Sequence, residues 1–240
     1  NGLYFGERYD ARLLIDGWDQ PGFDDGTWEK ALAVAGYPLA SQMMHPVRVT
    51  ERLAPKSVVR LAPGSFVFDF GQNFSGWTRL RVDGPMGTEV RLRHAELLND
   101  DGTLNFGPNE NAEATDVYIL RGGGPEVYEP RFTYHGFRYV EMTGFPGEPG
   151  PGALEGCFIH SDVERTGTFN CSNELLNRVH RNIVWGQLSN LMSIPTDCPQ
   201  RDERHGWLGD AHLSAEEAVF NFDMAAFYAK FLDDIRLAQK

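Results

Sequence analysis

The sequence predicts a multidomain β-plus-α chain: an antiparallel β-sandwich of jelly-roll type, followed by the opening of an α-helical domain. Three observations predict it. Between about residues 44 and 150, short segments alternate apolar and polar residues, the period of strands with one wet face. Residues 144–152 hold four glycines and three prolines, the composition of a linker. Beyond it the apolar spacing becomes helical.

Residues 1–43 carry turn chemistry rather than periodicity. Trp18 and Trp28 bracket Asp19-Gln20-Pro21-Gly22 and Asp24-Asp25-Gly26, and the stretch reads as the tail of a preceding β-domain. The β-sandwich, 44–150, has strands at 65–70, 78–82, 89–93, 116–120, 126–129 and 137–142, with an Asp83–Gly87 turn between the second and third. Short strands punctuated by Gly and Pro are the pattern of an antiparallel sandwich. Residues 98–114, rich in Asn, Asp and Gly, read as a loop.

A linker segment at 151–170 leads to the helical part, 171–240. There Leu175, Leu176, Val179, Ile183, Leu188, Leu191 and Met192 form one apolar stripe, with Ser172 as N-cap and Pro195 as stop. A second helix follows Asp210 and carries Leu213, Val219, Phe220, Phe227, Phe231 and Ile235. So many aromatics call for burial against further helices. The chain begins at Asn1 rather than Met, and the helical pattern reaches Lys240 without a stop signal. Both ends therefore read as cuts within a longer protein, and no compartment is assigned.

A net charge of -12 excludes a nucleic-acid partner, because phosphate binding requires a basic face. No apolar run is long enough to span a membrane. Cys157, Cys171 and Cys198 are widely spaced and contain no CxxC pair, so neither a zinc knuckle nor a disulfide framework is expected. The sequence carries no organic cofactor motif and no calcium loop of EF-hand type.

Chemistry concentrates in residues 197–210. Asp197, Asp202, Glu203 and Asp210 are carboxylates, interleaved with Arg201, Arg204, His205 and Trp207. Cleavage of a glycosidic bond needs one protonated carboxyl to donate to the leaving oxygen and one ionised carboxylate to activate water or attack carbon. Trp207 offers a flat apolar surface for a sugar and can desolvate a carboxyl, raising its pKa. Arg201 and Arg204 push the Asp202-Glu203 pair the other way. On residue types alone the segment equally suits a solvated turn, with Asp210 a helix N-cap, Asp202 and Arg204 surface ions and Trp207 core. His205 reads as a surface residue and Cys198 as structural.

The stretch from Pro195 to Asp210 closely resembles the active-site signature of bacterial α-L-rhamnosidases of glycoside hydrolase family 78. Three further pieces resemble the same family, in order: Tyr9–Arg12 with Gly17–Asp25, Phe68–Trp77, and Arg131–Tyr139. The resemblance implies the end of an N-terminal β-domain, a complete β-sandwich and the first helices of a truncated (α/α)6 catalytic barrel. It implies an inverting glycosidase acting on terminal α-L-rhamnosyl residues. Glu203 matches the general acid, and Asp197, Arg201, Trp207 and Asp210 match residues lining the rhamnose subsite. His205 matches a position that is often apolar in the family and receives no role.

The family's general base is a distant downstream glutamate, expected beyond Lys240, since Glu216 and Glu217 follow too closely on the acid. The region alone is accordingly expected to be inert. The expected partner is an L-rhamnose-containing glycoside, with no cofactor and no metal, and self-association is left open. A non-catalytic carbohydrate-binding β-sandwich with a helical appendage, with Trp18, Trp28 and Trp77 as stacking platforms, is the competing reading. An (α/α)6 glycosidase of other sugar specificity is a third.

Overall fold

The computed structural model describes residues 1–239. Among the described residues eleven strands precede three α-helices. The strands are β1 (Arg8–Asp10), β2 (Val47–Leu53), β3 (Ser57–Ala62), β4 (Ser65–Val82), β5 (Glu89–Ala95), β6 (Leu97–Leu98), β7 (Leu104–Asn105), β8 (Thr115–Ile119), β9 (Glu126–Tyr128), β10 (His135–Thr143) and β11 (Leu154–Ser161). The helices are α1 (Glu174–Ser189), α2 (Leu208–Asn221) and α3 (Ala225–Ala238).

Nine strands join in one sheet, ordered β1-β8-β5-β10-β4-β11-β2, with β3 and β9 also paired to β4. All its pairings are antiparallel except β1 with β8, which brings the N-terminal segment onto the sheet. The two segments 65–70 and 78–82, expected as separate strands, are the ends of the single strand β4. Its first half lies between β3 and β10, and its second half between β11 and β9. Phe66, Phe68, Phe70, Phe74, Leu80 and Val82 all point from one face of β4 into one core. Both halves of a long strand can face the same core only if the sheet curls around it. On the opposite face Val67 packs with Ala95 and Leu104, under a small β6–β7 hairpin that occupies part of the expected 98–114 loop.

The 151–170 segment was expected to be linker, yet it contains β11, seated between β4 and β2 with Cys157, Phe158 and Ile159 buried. Its start beside Pro149 and Pro151 hid an apolar run that the linker composition overshadowed.

The helical expectations are corrected in four respects. The N-cap of α1 is Asn173, whose side chain accepts from the Leu175 amide, rather than Ser172. That helix ends at Ser189, before Pro195, where the Asn190 amide bonds back to Gln187 and Leu188 carbonyls. The stripe of Leu175, Leu176, Val179 and Ile183 is exposed, and α1 packs inward through Val184 and Leu188. The second helix is two helices. Phe222 leaves α2 in extended conformation, pairing with Arg165, and the Asn221 carbonyl accepts from Thr166 and Gly167. The Asp223 side chain then accepts from the Ala225 amide at the start of α3, whose N-cap residue is Met224.

On the sheet itself, His94 of β5, Asp116 of β8 and His135 of β10 are fully buried. The rings of His94 and His135 stack at 4.2 Å, and His135 Nε2 lies 3.1 Å from Asp116. Burial, and then the neighbouring His135, push the His94 pKa down to about 3. The unfolded chain takes up a proton on this imidazole near pH 6.5, whereas the folded chain does not. Stability is therefore complete above that pH and falls as pH drops toward 3, by about a tenfold loss in the folding constant per pH unit. His160, lowered by burial, acts in the same direction. Urea midpoints measured at pH 7, 6 and 5 should fall steadily, and a flat series would refute the assignment.

Candidate active site

The loop between α1 and α2 is shaped by its own backbone. The Leu191 carbonyl accepts from the Ser161 amide of β11 at 2.7 Å, and the Thr196 amide bonds to the Asn190 carbonyl. The Asp197 amide donates to the His205 carbonyl at 3.0 Å, while the His205 amide donates to Asp197 Oδ1 at 2.7 Å. This reciprocal pair closes residues 198–204 into a compact excursion. Gly136 of β10 makes room for it, because a Cβ there would stand 2.7 Å from Pro199 and 2.9 Å from the Gln200 amide nitrogen.

Arg201 is the centre of the charged cluster. Its Nη2 lies 3.0 Å from Asp197 Oδ2, and its Nε donates to Glu203 Oε2 at 2.9 Å. The other Glu203 oxygen accepts from Trp207 Nε1 at 2.6 Å. Each charged group thus has a partner of opposite sign or a strong donor, which is what a part-buried ionic cluster requires. Asp197 is the most enclosed, its side chain 2% exposed. Burial opposes its charge, but the Cys198 thiol, the His205 amide and Arg201 together hold its carboxyl below the ordinary range.

The Cys198 thiol is pushed up to about 11, chiefly by burial, so it is protonated and structural. His205 is exposed and only edges the Trp207 ring, at 5.9 Å. Asp202 turns to Asn111, at 2.9 Å from the side-chain amide. Trp207 is half exposed, at 51%, rather than core.

Asp210 stands in the first turn of α2, whose N-cap is Trp207, so the capping reading of Asp210 is corrected. It is exposed, and with Asp197 it lines a cleft of about 340 Å³ that also takes in Asn190 and Ser214. Asp197, Arg201, Glu203 and Trp207 are therefore joined by direct bonds, while Asp210 shares only the cleft. A larger cavity of about 760 Å³ lies away from the loop, against Tyr9, Trp77, Tyr118 and Tyr128. There the Tyr118 and Tyr128 hydroxyls are taken by Glu126 and Glu7, and the Trp77 Nε1 by Glu129.

Arg204 is placed contrary to expectation. Among the described residues it touches no carboxylate, and it is buried with its guanidinium directed at backbone carbonyls. Only Arg201, of the two arginines, acts on the Glu203 carboxyl. The residues around the loop that sequence reasoning missed are Tyr4, Glu110, Asn111 and Tyr134. The Tyr4 hydroxyl donates to the Glu203 carbonyl at 2.8 Å, and Glu110 lies 4.0 Å from Arg201. Tyr134 lay inside a recognised motif without a role, whereas Tyr4 carried no signal at all.

The site can therefore present one carboxyl, Glu203, oriented by an indole and a guanidinium, beside a second, ionised carboxylate, Asp197. Trp207 supplies an exposed aromatic face and the cleft beside Asp197 supplies hydrogen-bond acceptors, a set suited to a polyhydroxylated ring.

Comparison with known proteins shows the family to which the chain is similar. Residues 1–51 match the α-L-rhamnosidase N-terminal domain, residues 59–160 the bacterial α-L-rhamnosidase concanavalin-like domain, and residues 164–240 the bacterial α-L-rhamnosidase 6 hairpin glycosidase domain. An α-L-rhamnosidase of Streptomyces avermitilis is 48% identical over 99% of this chain, which covers 23% of that protein. The structure of α-L-rhamnosidase from Dictyoglumus thermophilum superposes with a TM-score of 0.97 at 58% identity, over 100% of this chain and 28% of that one. The Streptomyces avermitilis enzyme, crystallised in complex with L-rhamnose, superposes at 0.93 over 99% of this chain and 23% of that one. The chain spans about a quarter of the length of the curated relatives it matches.

Proposed function

Because this chain belongs to the bacterial α-L-rhamnosidase family, we propose that it carries the acid half of an inverting glycosidase site acting on terminal α-L-rhamnosyl groups. The observation that carries this is the Glu203 carboxyl, gripped at one oxygen by Trp207 and at the other by Arg201. Glu203 protonates the glycosidic oxygen as the bond to the anomeric carbon breaks. Asp197 and Asp210 accept from sugar hydroxyls, Arg201 donates, and Trp207 packs on the ring. The partner carboxylate that activates water across the sugar is a residue of the longer enzyme.

In the same reading the curled sheet is the β-sandwich, and α1 to α3 are the first helices of an (α/α)6 barrel. The domain division in this reading falls near residue 43 and after β11, which ends the sheet at Ser161, with the helical part following. Support for the barrel comes from apolar side chains facing outward, among them Leu175 at 66%, Phe220 at 71% and Leu213 at 83% exposed. Such surfaces call for further helices to cover them.

One experiment tests the whole reading. An aryl α-L-rhamnoside is followed by proton NMR with the full-length enzyme and with residues 1–240 alone. The full-length enzyme should release the β-anomer of rhamnose first, and 1–240 should release none. First release of the α-anomer would overturn inversion, and turnover by 1–240 would overturn the missing base.

A further inference from the structure

Arg204 follows Glu203 directly, and it is built into the protein like a core residue, 4% exposed. Its Nε donates to the Arg201 carbonyl at 2.9 Å and its Nη2 to the Gln200 carbonyl at 3.1 Å, both within the loop. Its Nη1 donates to the Leu3 carbonyl at 3.1 Å and to the Tyr134 carbonyl at 2.5 Å. The guanidinium lies between the rings of Tyr4 and Tyr134, 5.4 and 5.0 Å from their centroids. The two outer carbonyls belong to the N-terminal segment and to the residue just before β10. One side chain therefore ties the loop to both of its supports.

The backbone at Arg204 shows how strongly this placement is imposed. Its φ is 55°, a left-handed conformation that a long L side chain adopts only when its surroundings compel it. Its amide bonds to Cys198 Sγ at 3.4 Å, and the Tyr4 ring that flanks the guanidinium sends its hydroxyl to the Glu203 carbonyl. The peptide bearing Glu203 is thus held from both sides. A buried guanidinium that meets carbonyl dipoles and aromatic faces, with no carboxylate, is a costly arrangement to keep if all it does is fill space.

We propose that Arg204 is a positioning residue: by clamping the loop to Leu3 and Tyr134, it sets where the Glu203 carboxyl stands against the leaving oxygen. This rests on the reading of Glu203 as the acid. Lysine cannot substitute, because one ammonium cannot reach all four carbonyls that the planar fork satisfies.

The test uses the full-length enzyme and two substrates, an aryl rhamnoside whose leaving group needs little protonation and an alkyl rhamnoside whose leaving group needs it fully. Arg204→Lys should lower kcat on the alkyl substrate by about 10²-fold, and on the aryl substrate much less, with KM changed by less than about threefold. Tyr4→Phe removes a single hydroxyl and should show the same leaving-group bias at smaller amplitude, about fivefold, which keeps the test valid if Arg204→Lys fails to fold. Glu203→Gln is run alongside. If it shows the bias while Tyr4→Phe and any folded Arg204→Lys lose both activities equally or not at all, the positioning role is overturned and the acid assignment stands. If Glu203→Gln itself lacks the bias, both fall together.

Discussion

Replacing Glu203 by Gln in the full-length enzyme should lower kcat on natural rhamnosides by about 10²–10⁴-fold, the usual contribution of general acid catalysis. The substitution keeps the shape and leaves an amide oxygen to accept from Trp207 Nε1, the 2.6 Å contact in the native site. It removes the proton that the acid form transfers, and the negative charge that the ionised form presents to Arg201. Arg201 retains Asp197 at 3.0 Å, so the loop keeps its ionic anchor and the sugar its acceptors. Rhamnose affinity should consequently change by no more than a few-fold. Isothermal titration with rhamnose, beside kinetics on a natural glycoside, separates the two effects. Unchanged turnover would remove Glu203 from the acid role, while lost turnover with lost affinity would mean the loop had collapsed.

Replacing Gly76 by Ala should destabilise the protein by about 3–5 kcal/mol, combining a strained backbone with overpacking that cannot relax. Gly76 sits in the middle of β4 at φ 155°, where both β10 and β11 pair with it. A Cβ there would stand 1.9 Å from the Cys157 carbonyl oxygen, which is part of the sheet itself. Gly147→Ala is the control, since its φ of 92° is also left-handed but nothing lies within 4 Å. Its cost should be about 1 kcal/mol. Urea denaturation of both variants decides between them. Equal losses would show that conformation alone, and not the close approach of two strands, requires glycine at 76.

Several parts of this chain were legible before any coordinates. The alternation in Ser65–Phe70 and Thr78–Val82 marked strand, and the change of period after the Pro/Gly stretch marked helix. Both signals are local, because side-chain periodicity follows directly from backbone geometry. The same locality explains the errors. Nothing in the residues 71–77 says that two strands are one, since that depends on which neighbours supply hydrogen bonds. The break between α2 and α3 depends on the backbone of residues 164–167, more than fifty positions earlier. Exposure of the Leu175–Ile183 stripe likewise reflects what packs against it, which amphipathic spacing cannot specify.

The site divides in the same way. The residues of 197–210 could be named from their chemistry and their motif, and the structure joins Asp197, Arg201, Glu203 and Trp207 by direct bonds. Sequence proximity, however, treated Arg201 and Arg204 as equivalent charges on Glu203. Only the tertiary structure separates them, turning one toward the carboxylates and the other into a buried clamp on Leu3 and Tyr134. The sequence by itself determined the chemical inventory and the local periods, because these are properties of residue types and short spacings. The tertiary structure decided which groups share protons and which hold the loop, because hydrogen bonds, burial and charge pairing depend on distances between residues far apart in the chain.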